Sequence, residues 1–181
     1  MGDAVTLRPV REDDLPLLDS LLQDPTICGE FGWFGWHNLG RWRRGWEENG
    51  LIGPDGGTLV VDHGGESLGL VNWRRHQATP AVHSWEIGIA LVPAARGRGI
   101  GTHSQRLLAD YLFAHTAVHR IWAATEVGNV AEQNALAKAG FTREGVQRGV
   151  GWRDGAWRDG VTYSLLRTDP RRWGLGEASP S

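Results

Sequence analysis

The chain holds one cysteine, Cys28, and one lysine, Lys138, among 181 residues. A lone cysteine excludes an internal disulfide framework and a cysteine-based zinc site. The lone lysine follows no glycine run, which excludes a Walker-type phosphate loop, Gly-x-x-x-x-Gly-Lys-Ser/Thr. The seven histidines are scattered, with no His-Glu-x-x-His and no close cluster at metal-ligand spacing, so no metal is expected. Nothing resembles a serine or cysteine hydrolase site. No apolar run approaches the ~20 residues of a membrane span, and the N-terminus lacks a basic–apolar signal peptide. A cytoplasmic protein that does not engage membranes is expected. A net charge of −2 gives no overall attraction to nucleic acid. Met1-Gly2-Asp3-Ala4-Val5-Thr6 formally fits a myristoylation pattern, but Val5 to Arg8 read as a first strand, so the fit is read as coincidence. Eighteen arginines beside one lysine, with abundant Gly and Ala, suit a GC-rich bacterial genome.

What is present fits one soluble globular domain. Hydrophobic residues make up 40% and charged residues 22%. Leu15, Leu18 and Leu22, with Leu17 and Leu21 beside them, mark an amphipathic helix over 12–22 that ends at Asp24-Pro25. Part of 38–49 has helical character. Strands are expected at 58–62 and 67–75, as a hairpin around His63-Gly64-Gly65. A central strand is expected at 85–92 and another at 120–125. Helices are expected at 102–114, with Leu107, Leu108, Tyr111 and Leu112 buried, and at 130–139. A closing hairpin, 141–152 with 157–166, turns at Arg153-Asp154-Gly155. The fold class is therefore α/β (α+β), a mixed, mostly antiparallel central sheet flanked by helices. Residues 1–173 form the domain, and 174–181 a mobile tail.

The most informative stretch is Arg96-Gly97-Arg98-Gly99-Ile100-Gly101-Thr102. It joins the central strand to a helix N-terminus, where main-chain N–H groups are free to bind anions. Three glycines in five residues let the backbone lie against a ligand without Cβ clashes. The flanking arginines can reach further phosphates. The turn suits a diphosphate.

The order Arg-x-x-Gly-x-Gly resembles the acyl-CoA pyrophosphate loop of the GNAT superfamily of N-acyltransferases. Further on, Asn129-Val130-Ala131-Glu132-Gln133-Asn134-Ala135-Leu136-Ala137-Lys138-Ala139-Gly140-Phe141 resembles that superfamily's Asn-headed helix closing on Lys-x-Gly-Phe. Arg143-Glu144-Gly145, Trp157-Arg158-Asp159 and Tyr163-Ser164-Leu165-Leu166 resemble the end of its RimJ/RimL-like branch. Leu7-Arg8-Pro9-Val10-Arg11-Glu12-Asp13-Asp14 resembles that branch's start. The resemblance spans residues 5 to about 173. It implies a GNAT-like fold and acetyl transfer from acetyl-CoA, the acyl-donor cosubstrate, to a primary amine. That amine would be a small molecule or a protein N-terminus.

The resemblance further implies that Arg96, Gly97, Arg98, Gly99, Gly101 and Thr102 bind the diphosphate. The pantetheine arm would run along the strand ending at Leu91 and Val92, with the Leu91 N–H polarising the thioester carbonyl. Asn129 and Asn134 would line the channel; helix capping or a solvated face is the alternative for each. Glu86 is the candidate base or substrate anchor. Strand alternation places it with Gly88 and Ala90, opposite Trp85, Ile87 and Ile89. The alternative is an ion pair with Arg74 or Arg75. Two expected acids are missing: the tyrosine position holds Leu136, and the branch's serine position holds Glu132.

The segment Phe31-Gly32-Trp33-Phe34-Gly35-Trp36-His37, with Trp42 and Trp46, concentrates four tryptophans in fourteen residues. Trp33, Trp36 and His37 are the candidate acceptor contacts, since indole faces attract cations and stack on flat rings. Packing of the segment onto the sheet is the alternative. A non-catalytic acyl-CoA-binding sensor is the main rival function, and an aromatic–arginine nucleic-acid module is disfavoured by the net charge. Dimers are common among similar proteins, though no interface is legible in this sequence.

Overall fold

The computed structural model describes residues 4–38 and 40–171. The expected tail, 174–181, lies outside the described residues. Strand β1 (Val5–Pro9) is followed by a short 3-10 turn (Glu12–Asp14) and helix α1 (Leu15–Gln23). A one-turn helix α2 (Pro25–Cys28) follows, capped by the Asp24 carboxylate on the Thr26 N–H. Helix α3 (Arg41–Asn49) ends at Gly50, whose φ of 66° stops it in the left-handed region. Strands β2 (Ile52–Gly53), β3 (Gly56–His63), β4 (Glu66–Thr79) and β5 (Val82–Leu91) lead to helix α4 (Ile100–His115). Strand β6 (Arg120–Glu126), helix α5 (Val130–Lys138), β7 (Thr142–Arg153) and β8 (Ala156–Leu166) complete the chain.

One sheet runs β1-β3-β4-β5-β6-β8-β7, with β2 on β3. Every pairing is antiparallel except β5 with β6, and that parallel contact covers only Trp85–Ile121 and Glu86–Trp122. A parallel neighbour needs a crossover, which α4 supplies.

Alternation gives the sheet two unlike faces. Leu59, Val61, Val71, Trp73, Trp85, Ile87, Ile121, Ala123, Val161, Tyr163 and Leu165 pack under α4 and α5. On the other face, Val60 and Leu70 meet Leu15, Leu18, Leu21 and Trp42 of α1 and α3. Asp14 bolts these layers together. It accepts from both Arg8 Nη atoms at 2.7 and 2.9 Å, from Ser67 Oγ at 2.8 Å and from the Arg11 N–H at 2.8 Å.

Two expectations shift. Strand β4 is longer than the expected 67–75, because His76 and Gln77 continue the ladder opposite Ser84 and His83. These residues are exposed or polar, so hydrophobic alternation does not reveal them. The buried stripe of α4 is rotated to Ser104, Gln105, Leu108, Ala109, Leu112 and Phe113, leaving Tyr111 exposed. Small side chains at 104 and 109 let the helix approach the sheet, and the Ser104 hydroxyl is satisfied by the Ile100 carbonyl at 2.9 Å.

Candidate active site

Beyond Glu86 and Trp122, β5 and β6 no longer pair, so a gap opens between them inside the sheet. The edge of β5 that lines the gap follows from the register. The Val92 N–H bonds the Leu68 carbonyl of β4 at 2.9 Å. N–H groups alternate along a strand, so Ala90 also faces β4, while Ile89 and Leu91 face the gap. Of the two expected contacts at the strand end, Leu91 therefore presents its N–H and Val92 does not.

The glycine loop stands at the mouth of this gap. Gly97 and Gly99 have φ of 71° and 79°, a conformation that disfavours side chains. A Cβ at either would meet no protein atom within 4 Å, so both open outward. Gly99 is the N-cap of α4 and no side chain caps the helix. The Gly99 carbonyl takes the His103 N–H at 3.1 Å, so the amides of Ile100, Gly101 and Thr102 precede the first intrahelical bond. Together they form an anion cradle that fits a diphosphate. Helix α4 begins at Ile100 rather than Thr102, which brings Gly101 into that first turn.

The two loop arginines have different surroundings. Arg96 donates from Nε to the Leu91 carbonyl at 2.9 Å and from Nη2 to the carbonyls of Ile27 and Cys28. It ties the end of β5 to the C-terminus of α2 and holds the loop in place. Arg98 is exposed, with a long 3.4 Å bond to the Ala94 carbonyl.

Across the gap, Asn129 caps α5. Its Oδ1 accepts the Glu132 N–H at 3.2 Å, and its Nδ2 donates to Thr125 Oγ1 of β6 at 2.9 Å. Both ends of the amide thus position the far wall. Asn134 lies on the exposed face of α5. Glu132 turns toward α4 and accepts from Gln105 Nε2 at 2.6 Å. Burial pushes its carboxyl up to about 7, against the opposing effect of the Gln105 bond.

On the sheet face away from α4, Glu86 receives Arg74 bidentately, Nε to Oε2 at 2.7 Å and Nη2 to Oε1 at 2.6 Å. The ion pair raised as the alternative is thus present. The Arg74 side chain is 74% exposed, so it can leave. Trp122 lies beside Glu86 in register, with His76 edge-on at 5.3 Å. These two begin an open groove of about 950 Å³ that runs past Ser84, Thr162 and Glu144.

The aromatic segment divides. Trp42 is buried under the sheet, and Trp46 donates to the Val10 carbonyl at 3.1 Å, so both pack the core. Trp33 and Trp36 stack edge-to-face at 5.0 Å, and Trp36 is 81% exposed. The His37 main chain is held by Gln23, while its buried Nδ1 has no partner among the described residues. Arg153, expected only as a turn residue, is a missed organiser. It clamps Glu126 at 2.7 and 2.9 Å, bonds Asp154, lies 3.6 Å from Glu30 and covers the Phe31 ring. Phe31 in turn sits on Gly128. The closing hairpin, the end of β6 and the aromatic segment are thereby fastened together at the gap. Among the described residues no cluster suits a metal ion.

Comparison with known proteins identifies the family and the fold. A family model described as an acetyltransferase (GNAT) domain matches residues 4–142. The probable N-acetyltransferase YjcK of Bacillus subtilis (strain 168) is 37% identical over 83 residues, 46% of this chain and 46% of that protein, so the match spans under half of YjcK. The putative ribosomal N-acetyltransferase YdaF of the same strain is 30% identical over 132 residues, 73% of this chain and 67% of that protein. A crystal structure of spermidine N-acetyltransferase from Vibrio cholerae, in complex with CoA and spermine, superposes with a TM-score of 0.77 at 19% identity. It covers 91% of this chain and 96% of that one. At that identity the likeness is one of fold.

Proposed function

The chain belongs to the GNAT acetyltransferase family, and from that premise we propose that it moves an acetyl group from acetyl-CoA to a primary amine by direct attack in a ternary complex. The observation that carries this reading is the parting of β5 and β6 beyond Glu86, with an uncapped helix N-terminus at its mouth. The amides of residues 97–102 hold the diphosphate. The Leu91 N–H, directed into the gap, stabilises the oxyanion as the nitrogen attacks, a contribution of about 3–4 kcal/mol for one preorganised donor. Attack needs the neutral amine. Glu86 draws in the ammonium and takes its proton, directly or through water, once Arg74 swings out.

We assign the acceptor as a small amine on a flat or apolar body. Trp33, Trp36 and the unpartnered His37 Nδ1 support it. This chain's similarity to YdaF, a putative ribosomal N-acetyltransferase, and the closing hairpin's resemblance to the RimJ/RimL-like branch support a protein N-terminus as the other acceptor. No helix among the described residues is long and apolar enough to cross a membrane. The test is thiol release from acetyl-CoA with a panel comprising 2-phenylethylamine, tryptamine, spermidine, phosphinothricin and an Ala-initiated peptide. Turnover is expected with the aromatic amines first. Tight acetyl-CoA binding without turnover on any amine would instead make the chain an acyl-CoA sensor.

A further inference from the structure

Helix α2 ends beside the glycine loop, and the aromatic segment starts where α2 stops. A one-turn helix leaves its last carbonyls without intrahelical donors. Arg96 supplies them: its Nη2 donates to the carbonyls of Ile27 and Cys28, the latter at 3.3 Å. Its Nε donates to the Leu91 carbonyl at 2.9 Å. The carbonyl and N–H of one strand residue point the same way, so this carbonyl shares the gap-facing edge of β5 with the Leu91 N–H. One guanidinium therefore spans from the edge that receives the thioester to the segment that leads to the acceptor contacts.

Gly29 completes the joint. Its φ of 74° and ψ of 178° fall in a region that essentially only glycine adopts. A Cβ there would lie 2.7 Å from Arg96 Nη1, so the guanidinium packs directly on the bare Cα. The next two residues meet Arg153: Glu30 at 3.6 Å, and Phe31 with its ring centre 5.3 Å from the guanidinium carbon. At the far end, the His37 carbonyl and N–H bond the Gln23 side chain at 2.6 and 3.3 Å. Between these ties stand Trp33 and Trp36. Arg153 fastens the segment to the end of β6 through Glu126, and Gln23 fastens it to α1. Arg96 fastens it to Leu91.

We propose that Arg96 is a positioning residue for the acceptor rather than a ligand of the diphosphate, a reading that rests on the acetyl transfer and the acceptor contacts inferred above. Arg96 sets the distance between the aromatic segment and the Leu91 N–H, and Gly29 is its seat. The fork matters: a planar guanidinium reaches several carbonyls from separate nitrogens, whereas a lysine ammonium keeps the charge and loses the geometry. The diphosphate is left to the outward-facing glycines and the uncapped amides of α4.

Arg96→Lys and Arg96→Gln separate the two roles. A diphosphate ligand acts through charge, which Lys keeps and Gln removes. A strut acts through shape, which both remove. Calorimetric Kd for acetyl-CoA is expected within about five-fold of wild type in both variants, as for loss of one exposed charge. With saturating acetyl-CoA, kcat/KM for 2-phenylethylamine should fall at least about ten-fold in both, since small misplacements of an acceptor are costly. Gly29→Ala, outside the glycine loop, should reproduce that fall with acetyl-CoA affinity intact. A second readout needs no turnover. In ¹⁵N–¹H spectra of the unliganded protein, the Trp33 and Trp36 indole signals should shift in Arg96→Lys and Gly29→Ala, with the Thr102 amide nearly still. Acetyl-CoA affinity lost in Arg96→Gln and restored in Arg96→Lys, unchanged kcat/KM, or unmoved indole signals would each overturn the assignment while leaving acetyl transfer intact. Absence of thiol release by the wild type with every amine of the panel would overturn acetyl transfer and the acceptor role with it.

Discussion

Replacing Gly99 separates the loop's backbone requirement from its electrostatic one. Gly99 has φ of 79°, and its outward side is open. Any L side chain there costs about 1–2 kcal/mol for the left-handed conformation. Gly99→Ala and Gly99→Asp share that cost, so their difference isolates the charge. A carboxylate about 5 Å from one phosphate charge, at an effective dielectric of about 20, repels it by roughly 3 kcal/mol, about 200-fold in Kd. The new carboxylate would also compete for the amides at the start of α4. Calorimetric titration with acetyl-CoA is expected to show Gly99→Asp weaker than Gly99→Ala by at least about two orders of magnitude. Gly99→Asp, whose carboxylate can cap α4, should unfold at a temperature no lower than Gly99→Ala. Equal affinities would refute the loop as the diphosphate site.

Three further outcomes follow from the same geometry. Asn129→Ala removes the α5 cap and the link to Thr125, which should cost about 1 kcal/mol and lower Tm by roughly 2–4 °C; an unchanged melting curve would show the cap to be idle. Glu86→Gln should lower kcat about ten-fold or more with acetyl-CoA affinity intact, and an unaltered acid limb of the pH–rate profile would remove Glu86 as base. Arg8 holds Asp14, and Arg120 holds Glu144, each at about 2, well below the ordinary carboxylate range. These pairs stabilise the fold above the unfolded values near 4, and that stability is lost as pH falls toward about 2. Tm should therefore drop steeply below about pH 4, and Asp14→Asn should flatten the drop.

Features set by a residue's own backbone were legible in the sequence. Gly97 and Gly99 announce a left-handed turn, and alternation alone puts Glu86 opposite Trp85 and Ile87. Leu91 was named by the resemblance alone, and the β4–β5 register then turns its N–H toward the gap. Features that depend on distant partners were not legible. Arg153 reads as a hairpin residue until Glu126, 27 residues earlier, is beside it. Arg96 looks like a phosphate ligand until Ile27 and Cys28 occupy its guanidinium. Glu132 stands where the resemblance expects a serine, and only the fold shows its carboxylate buried against Gln105. The tryptophans are alike in local pattern; the rotation of α3 decides that Trp42 is buried, while Trp36 stays exposed.

The central claim is that main-chain amides at the start of α4 and the end of β5 receive the acyl donor. Titrating ¹⁵N-labelled protein with acetyl-CoA and following amide shifts tests it directly. The account predicts the largest changes at Gly97, Gly99, Ile100, Gly101 and Thr102, with Leu91 moving and Val92 nearly still. Shifts confined to the groove around His76 and Trp122, or none at the loop, would contradict it.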